Sequence, residues 1–332
     1  MVEIRVNELA FRVAEKILKD PERFGVVVKK LQNGATAVDC GVNAKGGFEI
    51  GRLVTEICLG GLGNAQLTHM SFEDFALPAV RVSTGWPAVA TLCIQAGYPL
   101  LPDEKTRIVC SGPARALARK PKDLFDFLNF HDESKVGVIV LQMDELPSLE
   151  TAEAIAAQCE IDPSCLYMFV TPSRSIAGAT QIAGRAMEDV AFTMREVLKY
   201  DVRKIGQMIG LAPIVPICEG ADTKVFPDDF LAYGGTVYLT VRSVEEDSDK
   251  LAKELVFEAT SIYGRTFAEL LKEAHFDFRR IPGYPGIFRP AQVLVNDLKT
   301  GKIHKAGSTN PYMIRKCLGL AEPKHSSINR IL

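Results

Sequence analysis

The sequence predicts a mixed α/β fold, arranged either as two domains or as one large unit. At 332 residues the chain is longer than a single hydrophobic core usually supports. Its 47% hydrophobic and 24% charged residues match ordinary globular proteins. Two apolar runs, at 136–142 and 166–171, are separated by a helical segment, and this order is typical of a crossover with parallel strands.

The first hundred residues alternate helical and extended segments. Residues 8–19 have the apolar spacing of an amphipathic helix, which stops near Pro21. Asn33 and Gly34 form a strong hairpin signal between two β-like runs. The predicted elements here are helices at 8–19, near 50–58 and after Pro87, and strands at 26–31, 35–42, 65–70 and 79–84.

In the second half, the residues from about 176 to 199 predict one long helix. Ala183, Met187, Val190, Met194 and Val197 would form an apolar stripe on one side of it. The other predicted elements are a strand at 234–241, helices at 245–255 and 266–274, a hairpin over 292–307 that turns at Thr300 and Gly301, and a proline-rich loop at 210–229. We predict domains at 1–130 and 131–320, with segments that can interleave, and a C-terminal tail at 321–332.

Charge and hydropathy argue against two classes of partner. Lys and Arg number 39 against 41 Asp and Glu, so the net charge of −2 gives no general reason to bind nucleic acid or an anionic membrane. The longest apolar runs fall well short of the roughly 20 residues that a membrane helix needs. The first twenty residues lack the pattern of a targeting signal. We therefore expect a cytoplasmic protein.

Cysteines and histidines do not form a recognisable framework. The eight cysteines include no CxxC pair, and most lie in apolar surroundings, so we expect buried, reduced thiols. The five histidines are dispersed without metal-ligand spacing. The sequence therefore predicts no metal site.

Two loops suggest binding roles, each with a simpler alternative. Glu49 follows the glycines of "KGGFEIG" and is either a charge that favours the start of a helix or part of a site. Ser111, in "CSGPARALARK", can cap a helix that begins near Pro113. Free backbone N–H groups at such a helix start, with Arg115 beside them, would also suit a phosphate or carboxylate.

Arg185 and Glu188 stand three positions apart, within contact distance on a helix. They are either a solvated ion pair, worth a few tenths of a kcal/mol, or the working part of a pocket. Phe192 on the same face, and the small residues Gly178 and Gly184 nearby, favour the pocket because a ligand could approach closely. A partly desolvated glutamate beside an arginine suits a general base that acts on water.

Several long motifs, in the same order, resemble the methenyltetrahydromethanopterin cyclohydrolase family of one-carbon metabolism. They are "VDCGVNAKGGFEIGRLVTEICLGGLG", "SGPARALA", "TPSRSIAGATQIAGRAMED", "YGGTVYLTV", "YGRTFAELLKE" and "FRPAQVLVNDLKTGKIHKAG", and together they span most of the chain. The resemblance implies two α/β domains with a pterin substrate in the cleft between them, a homotrimer, and neither a metal nor a prosthetic group.

The resemblance also implies roles for individual residues. The family's catalytic arginine and glutamate match Arg185 and Glu188. The candidate substrate contacts are Glu49, Tyr98, Ser111, Gly112, Arg115, Gln181 and Tyr233. The expected reaction is hydrolysis of the methenyl bridge of methenyl-tetrahydromethanopterin to the formyl form. The alternatives are the same chemistry on a folate-type pterin, and a pterin-binding protein without catalysis.

Two segments depart from the family pattern. The residues before Ser111, "PDEKTRIVC" at 102–110, lack the aromatic residue and the glycine that the family usually has there. Residues 225–229, "VFPDD", replace the usual "GRTND" and remove an arginine. Both segments are expected to lie in or beside loops that face the substrate, so they bear on specificity and on activity.

Overall fold

A strand, a helix and a second strand form the crossover predicted between residues 136 and 171. The computed structural model of the protein describes residues 4–101, 108–217, 225–242 and 247–320. Within them, the strand β7 (Gly137–Gln142) pairs in parallel with β8 (Leu166–Val170), and the helix α5 (Leu149–Gln158) connects the two. The predicted crossover and the mixed α/β class are therefore confirmed.

The described residues form two six-stranded mixed sheets. The first has the order β1-β2-β8-β7-β6-β5, and the second has the order β12-β11-β10-β9-β4-β3. The remaining strands of the first sheet are β1 (Val27–Lys30), β2 (Thr36–Asp39), β5 (Tyr98–Pro99) and β6 (Val109–Ser111). Those of the second sheet are β3 (Gly63–Phe72), β4 (Phe75–Thr84), β9 (Ile205–Pro213), β10 (Thr236–Val241), β11 (Gln292–Asp297) and β12 (Ile303–Gly307).

Helices cover the sheets and connect their strands. Their bounds are α1 (Val6–Lys19), α2 (Phe48–Cys58), α3 (Ala114–Ala118), α4 (Lys122–Leu128), α6 (Ile176–Ala183), α7 (Ala186–Phe192), α8 (Pro227–Gly234), α9 (Ser248–Glu254), α10 (Phe267–Glu273) and α11 (Pro311–Leu318). Two wider helical segments, with π geometry, span Ala88–Gln95 and Thr193–Val197. None of the described helices has the length and apolar character needed to cross a membrane.

Both predicted hairpins are confirmed. β1 and β2 pair antiparallel, and Gly34 in their turn has a φ of +86°, a value that glycine adopts at low cost. β11 and β12 also pair antiparallel, with Gly301 at a φ of +70° in the turn. In each case the local turn residues were sufficient to predict the pairing.

Sheet membership does not follow a single boundary near residue 130. β3 and β4 precede that point and belong to the second sheet, whereas β7 and β8 follow it and belong to the first. The hairpin of β3 and β4 joins the second sheet because β4 pairs antiparallel with β9, more than a hundred residues later. Such distant pairing leaves no local signal. The predicted tail at 321–332 lies outside the described residues.

The predicted loop at 210–229 is partly wrong, because β9 extends to Pro213 and α8 begins at Pro227. β9 was missed because glycines and prolines interrupt its apolar pattern. The glycine at 210 has a packing reason, since a Cβ there would come within 2.9 Å of the Met187 side chain. Tertiary packing thus selects an extended strand where the local sequence suggests a turn.

The predicted long helix from 176 to 199 is also wrong, because it is interrupted at Gly184. The predicted stripe is buried at Ala183, Met187, Val190 and Met194 but exposed at Val197. Gln181, on the opposite side, is fully buried as well. α6 lies between the two cores, because Ala177 packs in the core of the first sheet and Ile182 in that of the second, whereas Met187 of α7 packs in the second core.

Of the eight cysteines, the seven that the structure describes are free, and all of these except Cys165 are buried. This confirms the prediction of reduced thiols for those positions. Cys218 lies outside the described residues. Burial raises the pKa of the Cys58 thiol to about 12, so this side chain is uncharged at neutral pH.

A close approach of α2 and α6 generates the first testable prediction. A Cβ at Gly51 would lie 2.5 Å from the Thr180 Cβ and 2.7 Å from the Ala177 carbonyl oxygen. Gly51→Ala should therefore lower the free energy of unfolding by about 1–3 kcal/mol, as overpacking does in other cores. Chemical denaturation with a fluorescence readout measures this change.

Gly85→Ala is the matched control for Gly51→Ala. A Cβ at Gly85 would come no closer than 3.3 Å to any atom, and that atom belongs to the flexible Gln207 side chain. This variant should unfold within about 0.5 kcal/mol of the unsubstituted protein. Equal stabilities for the two variants would show that the two helices can separate without cost.

Candidate active site

The break between α6 and α7 places Arg185. The side chain of Ser175 caps the start of α6 by accepting a hydrogen bond from the Gly178 amide at 3.0 Å. Gly184 ends that helix, and a Cβ there would lie 2.4 Å from the Thr55 Cγ2 of α2. Arg185 then has φ −97° and ψ −3° and immediately precedes α7. Its side chain leaves the chain at a break in the helix, not along a regular helical face.

Three acceptors fix the Arg185 guanidinium. Nη1 donates to Glu188 Oε2 at 3.0 Å and to the Gln95 carbonyl at 2.9 Å. Nη2 donates to Ser111 Oγ at 2.8 Å. Only 12% of each side chain of the Arg185–Glu188 pair is exposed. The pair is therefore not the solvated surface pair that spacing alone allows.

Burial and the neighbouring charges shift the pKa values of the ionisable groups around the pair. Burial alone would lower the pKa of the Arg185 guanidinium, but the Glu188 carboxylate and other nearby groups raise it above its usual value. Burial, reinforced by Glu188 and Asp228, raises the pKa of Asp189 well above its usual range. Burial also raises the pKa of Asp228 to about 6. Arg185 therefore stays a cation among carboxyl groups that resist ionisation.

Glu188 has the geometry of a general base. Its Oε2 is held by Arg185, whereas Oε1 accepts no hydrogen bond from any residue that the structure describes. A carboxylate with one oxygen anchored and the other available can orient a water molecule and accept its proton. The neighbouring guanidinium fixes the position of the anchored oxygen in a largely dry site.

Ser111 and Gly112 lie beside the pair, but Ser111 does not cap a helix. It ends β6, and α3 begins only at Ala114 with Pro113 before it. The predicted cap is therefore wrong, because the Ser111 hydroxyl instead accepts the hydrogen bond from Arg185. Gly112 has a φ of +103°, and its amide donates to the Ile94 carbonyl at 2.8 Å. This hydrogen bond links the turn after β6 to the wide helix that ends at Gln95.

Arg115 is buried and bound to backbone oxygens. It is 1% exposed, and its guanidinium donates to the carbonyls of Leu92, Ala96 and Lys120. Burial lowers its pKa to about 10, so it remains charged at neutral pH. The guanidinium also lies 5.5 Å from the centre of the Tyr98 ring. These contacts give Arg115 a structural role, and direct substrate contacts of Arg115 and Tyr98 stay predictions.

The other predicted contacts are spread more widely. Gln181 is fully buried, with its Oε1 3.8 Å from the Cys58 Sγ. Glu49 is half-exposed at the start of α2 and pairs with Arg52 at 2.6 Å. Tyr233 is buried, and its hydroxyl donates to the Arg265 carbonyl at 2.7 Å. The structure thus brings Arg185, Glu188 and Ser111 into direct contact, with Gly112 adjacent, whereas Glu49 and Tyr233 bond elsewhere.

Sequence reasoning missed Gln95. This residue ends an apolar run, "ATLCIQ", and is fully buried beside the break at Gly184. Its carbonyl accepts from Arg185, and its side chain donates to the Gly184 carbonyl at 3.0 Å. A single amide at the end of an apolar helix carries no pattern of its own, so only the three-dimensional arrangement identifies it.

The two segments that depart from the family pattern lie differently. Of residues 102–110, positions 102–107 fall outside the described residues. Residues 225–227 line a partly open cavity of about 70 Å³. The other lining residues come from the segments that follow β8 and β9, namely Ser173, Arg174, Val215, Pro216 and Ile217. Asp228 follows directly, and burial raises the pKa of its carboxyl while the Arg185 charge lowers it in part.

Within the described ranges, no group of three or more His, Cys, Asp or Glu side chains is arranged to hold a metal ion. The prediction that no metal is needed is a separate matter, which activity measurements decide.

Comparison with known proteins gives a consistent result over nearly the whole chain. The family model described as "Cyclohydrolase (MCH)" matches residues 5–318. The methenyltetrahydromethanopterin cyclohydrolase of Methanocaldococcus jannaschii is 39% identical over 324 residues, which cover 96% of this chain and 99% of that protein. The enzyme of the same name from Methanothermobacter marburgensis is 36% identical over 322 residues, covering 96% and 100%.

Asp229 generates a prediction about pH. It is fully buried, and burial raises the pKa of its carboxyl to about 7. An acid with a raised pKa binds more protons in the folded state, so its contribution to stability falls as the pH rises from about 4 to about 7. The stability of Asp229→Asn relative to the unsubstituted protein should therefore increase by about 2–3 kcal/mol as the pH rises from 5 to 8.

Denaturation midpoints at several pH values measure this difference. Asp229 Oδ1 accepts a hydrogen bond from the Phe267 amide at 2.8 Å, and the asparagine oxygen can keep it. Asp201→Asn is the control, because the Arg203 side chain lowers the pKa of Asp201, so that its contribution to stability is constant between pH 5 and pH 8. A stability difference between Asp229→Asn and the unsubstituted protein that is constant over pH would contradict the prediction.

Proposed function

The chain belongs to the methenyltetrahydromethanopterin cyclohydrolase family, and we propose that it adds water to the methenyl bridge of methenyl-tetrahydromethanopterin to give the formyl derivative, reversibly. The observation that supports this most directly is the Arg185–Glu188 pair, in contact at 3.0 Å and largely buried. The pair lies within the motif that resembles the family's catalytic segment.

The substrate's own charge defines what the protein must do. The methenyl carbon lies between two nitrogens that share a positive charge, so it is already electrophilic. Water has to be held against this carbon and relieved of a proton. Glu188 would accept that proton through its available Oε1 as the new C–O bond forms. The carbon then becomes tetrahedral, and the positive charge is lost.

Ring opening completes the reaction. The bond from the carbon to one nitrogen breaks as the C=O double bond of the formyl group forms, and Glu188 can return the proton to the leaving nitrogen. The overall change consumes one water and releases one proton to solvent. No hydride moves and no covalent enzyme intermediate is needed. Arg185 would hold Glu188 in register throughout and limit repulsion between the carboxylate and neighbouring acids.

Ser111 and Gln95 supply the remaining acceptors for Arg185. With these contacts satisfied, the guanidinium cannot turn toward the cationic substrate without breaking hydrogen bonds. We expect this restraint to matter because a misplacement of about 1 Å at a reacting centre can lower a rate about a hundredfold. Glu49, Tyr98, Gly112, Arg115, Gln181 and Tyr233 remain candidate substrate contacts.

We further propose that the protein works as a homotrimer in the cytoplasm, as the family resemblance implies. Light scattering coupled to size exclusion measures the mass of the assembly directly, and a monomer or dimer would contradict the proposal.

Glu188→Gln tests the assignment of the base. The amide keeps the shape of the side chain and an acceptor for Arg185 but cannot take a proton from water. We expect kcat to fall by about 10²–10⁴-fold, the usual contribution of general base catalysis, with retained circular dichroism. The loss of the methenyl chromophore at varied substrate concentration measures kcat and KM.

Glu8→Gln is the matched control. Glu8 also pairs with an arginine three positions away, Arg5 at 3.3 Å, but on the exposed side of α1. Removal of the Glu8 charge should leave turnover unchanged.

The same assay with the methenyl form of tetrahydrofolate tests the alternative carrier. Binding of the methenyl substrate without turnover would select the non-catalytic alternative. Normal turnover by Glu188→Gln would show that another group accepts the proton.

The proposed reaction needs neither a metal nor a prosthetic group. Prolonged dialysis against EDTA should therefore leave kcat within about 10% of its starting value, measured by the same chromophore assay. Dialysis against buffer alone is the control. A loss of activity that added Zn²⁺ or Mg²⁺ restores would reveal a metal requirement and would call for a different mechanism.

A further inference from the structure

Gln95 contacts both sides of the break that places Arg185. Its main-chain carbonyl accepts from Arg185 Nη1 at 2.9 Å. Its side-chain Nε2 donates to the Gly184 carbonyl at 3.0 Å. Gly184 and Arg185 are consecutive, so one residue fixes the backbone just before the arginine and also the end of the arginine side chain.

The Gly184 carbonyl has a particular need for such a donor. Carbonyls in the last turn of a helix lose their intrahelical partners when the helix ends. Gly184 has no side chain that could donate to a nearby carbonyl, and the chain continues directly into α7. The Gln95 amide satisfies the carbonyl without moving either helix. The break is therefore stabilised from outside, by a residue from a different part of the chain.

The segment that carries Gln95 is itself held rigidly. It is the end of the wide helix Ala88–Gln95, and π geometry of this kind is frequent at functional sites. Arg115 donates to the carbonyls of Leu92 and Ala96, which bracket Gln95. The Gly112 amide donates to Ile94. These bonds come from the turn and helix that follow Ser111. The residues that hold the Gln95 segment therefore lie next in the chain to Ser111, which accepts a hydrogen bond from Arg185.

Packing alone does not explain a glutamine at position 95. The residue is fully buried, and its Oε1 has no hydrogen-bond partner in the described part of the chain. A buried polar atom without a partner costs about 1–3 kcal/mol. A methionine would fill a similar volume with no such cost. The glutamine is thus unfavourable for the core, and its donor bond to Gly184 is the contact that a methionine cannot make.

We propose that Gln95 is a positioning residue, which holds the Arg185–Glu188 pair in its working geometry through the Gly184 carbonyl and the Arg185 guanidinium. It does not touch the reacting atoms and acts only through Arg185. The inference rests on the proposed hydrolysis, because it assigns Gln95 a part in that reaction.

Gln95→Met is the first test. It preserves volume and the main-chain carbonyl but removes the donor to Gly184. We expect kcat to fall about 10–100-fold, KM to change less than about threefold, and the unfolding midpoint to stay the same or rise, because the unpartnered Oε1 is gone as well. A purely structural residue would instead change the unfolding midpoint and leave the kcat of the folded fraction unchanged.

Gln292→Met is the matched control. Gln292 is a half-buried glutamine in β11 whose Nε2 donates to the carbonyl of Gly307, the same pair of groups in the second sheet. Losing this bond should leave kcat and KM as they are.

Gln95→Glu is a second variant at the site. It keeps the length of the side chain but, when ionised, offers the Gly184 carbonyl no donor. It should lose kcat at least as strongly as Gln95→Met.

The outcomes separate this inference from the proposed function. If the unsubstituted protein fails to consume the methenyl substrate, the proposed function is wrong, and the inference falls with it. If that protein is active and folded Gln95→Met and Gln95→Glu turn over normally, only the inference is overturned. It is also overturned if neither variant folds while Gln292→Met does, because Gln95 would then serve stability.

Discussion

The interruption at Gly184 is the constraint on which the site depends. α2 approaches α6 and its end so closely that a side chain at 184 would overlap Thr55. A regular helix through this point would send Arg185 in another direction. Because the helix stops and restarts, the guanidinium meets Ser111 and the carbonyl of Gln95 while Glu188, one turn later, still reaches it. A packing restriction between two helices thus sets the geometry of the proposed catalytic pair.

The same region shows how the protein handles buried charge. Two arginines, 185 and 115, lie in largely dry surroundings, and among the described residues only the first of them contacts a carboxylate. Arg115 is instead bound by carbonyl oxygens, which solvate its charge without neutralising it. Asp189 and Asp228 next to the pair resist ionisation because of burial. Glu188 is the carboxylate that contacts Arg185 directly.

Local signals in the sequence predicted the α/β class, the crossover and both hairpins, because turn residues and apolar periods act over short distances. They also suggested contact between Arg185 and Glu188, since three positions along a helix suffice. They failed for β9, whose Gly210 packs against Met187 of α7, and for Gly184, whose effect depends on Thr55. Gln95 could not be predicted at all, because its partners lie about ninety residues away.

The interleaving of the two sheets also affects how the chain can fold during synthesis. β2 pairs with β8, and β4 pairs with β9, so each sheet requires a strand made more than a hundred residues after its neighbour. The ribosome therefore releases neither half as a finished unit, and the hairpin of β3 and β4 must wait with an unpaired edge until residue 213 emerges. Such late, distant pairing folds slowly and favours protection of nascent chains by chaperones.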